Sequence, residues 1–400
     1  MTIKLGLIKE NKQPSDPRAA LSPNNCKELL DNFKDFEIEV ESSQERTFAN
    51  KDYTVKGIKV VDNIENSDVL LGVKEVPIKD LIPNKTYMFF SHTIKEQPYN
   101  RDMLKAIIEK KIELIDYETL THDNGRRILG FGRYAGIVGA YNGLLTWGKK
   151  FKTYQLKPAH LCRDYKEMKR ELGQIEIPQI KMVITGGGRV SHGAKEVLDF
   201  CKIKQLSPKK FLDYNGDEPV YCLLEDGDLF ERKDKSPWDN FHFYENHKEY
   251  DIKFQPYLKE TDLMINGIYW EEDLPVFFTK KETAGPMFRI KVIADVTCDV
   301  EGSIPITLKA TPIHDPVIGW DPKTQEEVEP FLSHTIDVMA VTNLPAELPA
   351  NASDGFGSDL IKYVIPEFLN PSSEILNRAR ITTKKGLLNE PFEYLKEYIS

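Results

Sequence analysis

Cysteine is scarce in this chain. Five in 400 residues (Cys26, Cys162, Cys201, Cys222 and Cys298) form no CxxC pair, so no zinc site or other metal centre and no disulfide scaffold is expected. Long apolar runs are missing too. Val69-Leu70-Leu71 is cut off by Gly72 and Lys74, well short of the roughly 18 residues that span a membrane. No basic block occurs, and 54 Lys and Arg against 63 Asp and Glu give a formal charge of −9. Nucleic acid and membrane are therefore not expected partners. Repeats and low-complexity tracts are absent. Thr2-Ile3-Lys4-Leu5-Gly6-Leu7-Ile8-Lys9 reads as a strand, with no signal-peptide core or Arg/Ser-rich transit segment before it, so a cytoplasmic location is expected.

What is present is a globular composition, 40% hydrophobic and 29% charged, long enough for two or three domains. Apolar runs at 3–8, 37–40, 69–73, 87–90 and 112–116 read as strands. Helical stretches at 24–32 and 100–110 lie between them, the first opened by Ser22-Pro23. Such alternation predicts an α/β fold with a mainly parallel sheet. Residues 134–150, with Gly136, Gly139, Ala140 and Gly143 at helical spacing, predict a long closely packed helix leaving this domain. A second alternation follows: strand 180–185, helix 193–202, strand 210–214, then strands 263–266 and 292–295. Residues 217–250 are charged and aromatic with little periodicity, and an irregular insertion is expected there. A helix over 354–369, kinked at Pro366, and a short amphipathic piece over 387–399 close the chain.

The densest local signal is Thr185-Gly186-Gly187-Gly188-Arg189-Val190-Ser191 after an apolar strand. A dinucleotide loop wants GxGxxG. Gly186 would make the turn and Gly188 would admit a pyrophosphate, held by the helix N-terminal amides of Arg189, Val190 and Ser191. Ser191 replaces the third glycine. Asp213 ends the expected next strand, near the ~20-residue spacing at which an acid meets the adenosine ribose. That favours NAD weakly over NADP, since Arg189, Lys209 and Lys210 lie close enough in sequence to meet a 2′-phosphate. A strand–turn–helix with glycines serving geometry alone is the competing reading.

Lys74 and His92 follow two of the predicted strands, at carboxyl ends where open α/β sheets take ligands. A partly buried lysine beside a histidine can move protons or hold a carboxylate. A surface lysine and an ordinary loop histidine are the alternatives.

Several stretches together resemble the lysine-ketoglutarate reductase or L-lysine-forming saccharopine dehydrogenase family, of the alanine dehydrogenase/transhydrogenase-like superfamily. They are Arg18-Ala19-Ala20-Leu21-Ser22-Pro23, Leu71-Gly72-Val73-Lys74, Ser91-His92-Thr93-Ile94-Lys95, Asp116-Tyr117-Glu118, Phe131-Gly132-Arg133-Tyr134, the glycine loop, Asn266-Gly267-Ile268-Tyr269-Trp270, Asp295-Val296-Thr297-Cys298-Asp299 and Asn343-Leu344-Pro345-Ala346-Glu347. The resemblance implies two Rossmann-like domains, the cofactor domain (136–329) inserted into a substrate domain (1–135 plus 330–400). It places a catalytic pair on Lys74 and His92. Substrate groups fall on Arg18, Lys95, Gln97, Glu118, Arg127 and Phe131, and a nicotinamide-side acid on Asp299. The implied reaction joins L-lysine and 2-oxoglutarate through an imine that a hydride from NADH or NADPH reduces to saccharopine, or runs in reverse. Only the reductase part is matched, so no saccharopine-cleaving domain is expected. An alanine-dehydrogenase-type enzyme and a silent nucleotide-binding regulator on the same fold are the rivals. The oligomeric state, a homodimer among the options, stays open.

Overall fold

The structure, a computed structural model, describes residues 2–272 and 274–400. It divides into two units, Met1–Phe131 with Pro349–Ser400, and Gly132–Leu348.

In the first unit six short strands make one parallel sheet: β1 (Ile3–Leu7), β2 (Phe36–Glu41), β3 (Lys59–Val61), β4 (Val69–Leu71), β5 (Thr86–Phe89) and β6 (Glu113–Asp116). Their order is β3-β2-β1-β4-β5-β6. The inner strands are short apolar runs, and β4 and β5 are buried throughout, as a sheet covered on both faces requires. The chain moves one way from β1 to β2 and β3, then returns to β4 on the other flank, so the switch point lies between β1 and β4. Helix α1 (Pro23–Asn32) starts where Ser22 and Asn25 exchange side-chain and backbone hydrogen bonds and Pro23 presets the first turn. Helix α2 (Arg101–Glu109) covers the other face through Leu104 and Ile107.

The C-terminal segment is part of this unit's core. The helix Pro349–Tyr363 puts Phe356, Leu360 and Ile361 into one cluster with Leu5, Leu29 and Val40. Its Ser353 hydroxyl accepts the Ala19 N–H at 2.9 Å. The helix stops at Tyr363, and Pro366 sits in a separate 3₁₀ turn, Ile365–Leu369, rather than inside one kinked helix.

The second unit holds β7 (Lys181–Thr185), β8 (Lys204–Leu206), β9 (Val220–Leu224), β12 (Leu263–Asn266), β13 (Val292–Asp295), β14 (Val317–Asp321), β15 (Glu326–Val328) and β16 (Ile336–Met339). They form a mixed sheet in the order β15-β14-β16-β13-β12-β7-β9-β8. Strand β14 pairs antiparallel with both β15 and β16, and the other pairs are parallel. A hairpin, β10 (Phe230–Arg232) with β11 (Tyr250–Ile252), stands apart. Helix α3 (Gly132–Phe151) packs backbone against backbone on α4 (Arg189–Phe200). A Cβ on Gly136 would fall 1.8 Å from the Val190 carbonyl oxygen, and one on Gly193 2.0 Å from that of Arg133.

Three further sequence expectations differ from this structure. Residues 210–214 are not a strand. Ser207-Pro208 starts a short helix, α5 (Pro208–Leu212), whose C-cap is Asp213, and the strand is the earlier β8. Residues 217–250 are not simply an irregular insertion. Val220-Tyr221-Cys222-Leu223-Leu224 is the core strand β9, its apolar run masked by acidic flanks on both sides. The second unit also runs past 329. Strand β16 pairs with β13, and the chain returns to the first unit at Pro349 rather than at 330. All five cysteines are free. No helix of the described residues is long and apolar enough to cross a membrane.

Candidate active site

Strand β4 ends in Gly72-Val73-Lys74-Glu75, at the switch point of the first unit. Glu10, just beyond β1, accepts the Val73 N–H at 2.7 Å and the Lys74 N–H at 2.9 Å. Burial pushes the Glu10 carboxyl up to about 7, against the pull of those two N–H groups. Lys74 is half-buried. Burial, helped by the Arg18 charge, lowers its ammonium pKa below the ordinary 10.5, while Asp16 and Glu75 act in the other direction. Such an amine can lose its proton nearer neutrality.

Glu75 joins Lys74 to His92. Its Oε1 lies 2.7 Å from His92 Nδ1 and its Oε2 2.5 Å from Lys12 Nζ. Burial would raise the Glu75 carboxyl, but the hydrogen bonds from His92 and Lys12 outweigh it and hold it at about 2. With Nδ1 facing a carboxylate, the imidazole keeps Nε2 for proton exchange. His92 is in the left-handed region, φ 53°, with its ring stacked 6.4 Å from Phe90. Its loop is tied down by Asp116, which accepts the Ser91 N–H at 3.0 Å, the Ser91 hydroxyl and the Glu118 N–H at 2.7 Å. Burial raises Asp116 to about 6.

Arg18 is buried and forked onto Asp16, Nε to Oδ1 at 2.9 Å and Nη2 to Oδ2 at 2.6 Å. Its guanidinium lies over the Phe131 ring at 4.2 Å, and Phe131 stacks on Phe356 at 4.6 Å. Glu118 gathers two cations, Lys95 at 3.3 Å and Arg127 at 3.6 Å, both on Oε1. Its Oε2 is buried and lacks a hydrogen-bond partner. Arg127 also lies over Phe90, the ring that stacks on His92. Six of the sequence-derived residues thus fall into one contact network, His92 with Arg127 and Phe131 around Phe90, Lys95 with Arg127 through Glu118, and Arg18 on Phe131, while Lys74 precedes Glu75, the partner of His92, in the chain. Gln97 is held differently. Its backbone carbonyl accepts the Tyr398 hydroxyl at 2.5 Å, and its side chain meets Tyr99.

Sequence reading missed Glu10, Asp16, Lys12, Glu75 and Asp116. In a chain with 63 acidic residues no single Asp or Glu stands out. The available signal was position, since Glu75 follows Lys74 directly and Asp116 ends a predicted strand.

In the second unit β7 runs into the glycine loop. Gly186 has φ +92°, and a Cβ there would lie 2.8 Å from the Gly267 carbonyl oxygen. Gly188 is the N-cap of α4, and a Cβ there would meet nothing within 4 Å, so the loop's face is open. Arg189 and Val190 open the helix. Ser191 is buried and donates to the Thr185 carbonyl at 2.8 Å, while Gly193 and Gly136 provide the close helix contact that a third loop glycine would have given.

The acid beside this loop is Glu225, not Asp213. Strand β9 is the neighbour of β7, the Gly186 N–H bonds the Leu224 carbonyl, and a Cβ on Gly187 would lie 3.6 Å from Glu225 Cγ. Asp213 caps α5, and the next residue, Tyr214, accepts from Lys181 Nζ at the amino end of β7, away from the glycine loop at its carboxyl end. At the carboxyl ends of β7, β12 and β13, Asn266 links Thr185 (2.7 Å), Asp295 (2.9 Å) and Ser303 (2.8 Å) in a buried network, and burial raises Asp295. Asp299 lies in the loop after β13, where Gly302 folds back to bond its carbonyl. The residues fit a dinucleotide: an open glycine turn at a helix N-terminus, with an acid on the adjoining strand end.

Residues 6–138 match the alanine dehydrogenase/PNT, N-terminal domain family. Mouse mitochondrial alpha-aminoadipic semialdehyde synthase is 28% identical over 98% of this chain and 47% of its own length. The chain therefore spans about half of that relative. The L-lysine-forming, NAD(+) saccharopine dehydrogenase of Candida albicans is 28% identical over 93% of this chain and 94% of its own. Among solved structures, an L-alanine dehydrogenase superposes with TM-score 0.66 at 16% identity over the whole of both chains. The Sinorhizobium meliloti transhydrogenase gives 0.61 at 12% identity, over 96% of this chain and 99% of its own. The chain thus has the fold of alanine dehydrogenase, matches the N-terminal domain model of that family over residues 6–138, and is similar along nearly its whole length to L-lysine-forming saccharopine dehydrogenases.

Proposed function

We propose that this chain interconverts saccharopine with L-lysine and 2-oxoglutarate, using a nicotinamide cofactor with NAD preferred. The observation that carries the reading is the Lys74–Glu75–His92 group beside the buried Arg18–Asp16 fork, in a chain similar to saccharopine dehydrogenases. Gly186, Gly188 and the first amides of α4 would hold the cofactor phosphates and Glu225 the adenosine ribose. When bound, the nicotinamide would supply or take the hydride. Glu225 replaces Asp213 as the reason to favour NAD, because a carboxylate repels a 2′-phosphate.

The chain's own residues handle protons and charge. Joining an amine to a ketone and expelling water each moves a proton, and two positioned proton carriers serve that need. His92 Nε2, left open while Nδ1 faces Glu75, is one and the Lys74 amine, its pKa lowered by burial, the other, one for the carbinolamine and water steps, the other for the amine proton. The substrates carry three carboxylates between them, which suits Arg18, Lys95 and Arg127. The unpartnered Glu118 oxygen suits an ammonium. Asp299, in the loop after β13, would stand at the nicotinamide side, as the resemblance implies.

The test follows nicotinamide absorbance with purified protein, L-lysine and 2-oxoglutarate, with NADH and with NADPH, and with pyruvate plus ammonia alongside. Oxidation that needs lysine and 2-oxoglutarate together supports the reading, and faster NADH supports the Glu225 argument. Oxidation only with pyruvate and ammonia would replace it with an alanine-dehydrogenase reaction.

A further inference from the structure

The end of β4 poses a hydrogen-bonding problem. On the β5 side the ladder continues past the strand: the Gly72 N–H bonds Met88 and the Val73 carbonyl accepts from Phe90. On the β1 side the last rung is the Ile8 N–H on the Leu71 carbonyl. Beyond it the chain after β1 turns away, and the next two amides, of Val73 and Lys74, have no strand to meet. Val73 is buried, so leaving its N–H unpaired would cost on the order of 1–3 kcal/mol. The Glu10 carboxylate takes both, one oxygen each. Gly72 lets Ile8, two residues before Glu10, lie close: a Cβ there would fall 2.6 Å from Ile8 Cδ1.

One acid–base group leaves the turn that Glu10 holds, and the other is bonded to it. Lys74 projects from the second clamped amide, and Glu75, the next residue, carries His92. A cavity of about 260 Å³ opens beside the turn, lined by Glu10, Lys74 and Glu75 among others. It is space into which an unclamped turn can rotate.

We propose that Glu10 is a positioning residue for the reaction, clamping the Val73 and Lys74 amides so that the Lys74 amine and the Glu75–His92 pair stand where they react. This rests on the function proposed above, and the experiment separates the two. Glu10→Gln keeps size but offers one acceptor oxygen, and its amide group sets donor against donor at the other N–H. Leu29→Ala, in the core of the same unit, serves as the destabilised control.

With the full chain, Glu10→Gln is expected to lower kcat at least about tenfold, while the KM for NADH and the NADH dissociation constant stay within about twofold. Leu29→Ala is expected to lower Tm at least as much and keep kcat within about twofold. A second readout does not need turnover: acetic anhydride labelling, followed by peptide mass spectrometry. The Lys74 to Lys27 labelling ratio is expected to change at least about threefold in Glu10→Gln and not in Leu29→Ala. Wild-type kcat in Glu10→Gln, or equal kcat losses in the two variants, overturns the proposal. If the wild type oxidises no NADH with lysine and 2-oxoglutarate, the proposed function fails instead, and the labelling ratio alone decides the clamp. Should Glu10→Gln not fold, Glu10→Asp, with both oxygens withdrawn by one methylene, is expected to give the same changes, and a wild-type result there overturns the proposal.

Discussion

His92 and Lys74 are prepared by their neighbours rather than by their own chemistry. A left-handed backbone at a non-glycine residue costs on the order of 1–3 kcal/mol, and the Ser91–Asp116 bonds are what hold His92 there. Lys74→Met and His92→Gln are each expected to lower kcat by about two orders of magnitude or more, leaving NADH binding by fluorescence unchanged. Asp116 adds a pH effect. Its folded pKa, about 6, stands above the ordinary 3.8, so its neutral form is favoured by folding. The stability it contributes is complete below about pH 4 and is lost as pH rises through about 6, on the order of 3 kcal/mol in all. Urea midpoints of wild type and Asp116→Asn across pH 4 to 7 check this; the wild-type slope over that window should be the more negative. Lysine and histidine were legible in the sequence because they are uncommon at strand ends. Glu10, Glu75 and Asp16 were not, because the carboxylates that matter are picked out only by what folds against them.

The elements show where sequence patterns suffice and where context decides. Strands β7, β12 and β13 announce themselves as apolar runs, and the glycine turn after β7 is legible from its composition. Strand β9 carries the same kind of run, yet its charged surroundings read as insertion. With β9 unread, the acid was sought at Asp213 instead of Glu225. Glu225→Ser is expected to raise kcat/KM for NADPH relative to NADH by about tenfold, measured as a ratio so that losses common to both cofactors cancel. The contact between α3 and α4 admits no side chain. Gly136→Ala sets a methyl against a backbone carbonyl that no rotamer change can move, so a loss of about 3 kcal/mol or more in the second unit is expected. Because α4 begins at Gly188, the same change should weaken NADH binding, read by fluorescence titration.

At the scale of the whole chain, the second unit is one continuous stretch and the first is not. Residues 132–348 expressed alone are expected to fold and bind NADH, by circular dichroism and fluorescence. Residues 1–348 should leave the first unit unfolded, since Phe356, Leu360, Ile361, Val364, Ile365 and Leu376 from the C-terminal segment share its core. A fully folded first unit in that truncation would show the return segment to be dispensable. The sequence showed two α/β alternations and the resemblance implied the return to the first unit, but at 330 rather than Pro349, because β16 is an apolar run like any other and only its pairing with β13 assigns it.

The division of the first unit between the two ends of the chain governs how it is made. On the ribosome, β1 to β6 emerge long before the helix that finishes their core, and the intervening unit can close while they wait. Until the helix Pro349–Tyr363 emerges, the sheet bearing Lys74 and His92 shows bare apolar surface to the cell. A nascent chain of this kind is expected to engage chaperones during translation, and to gain its acid–base site only after that helix has emerged.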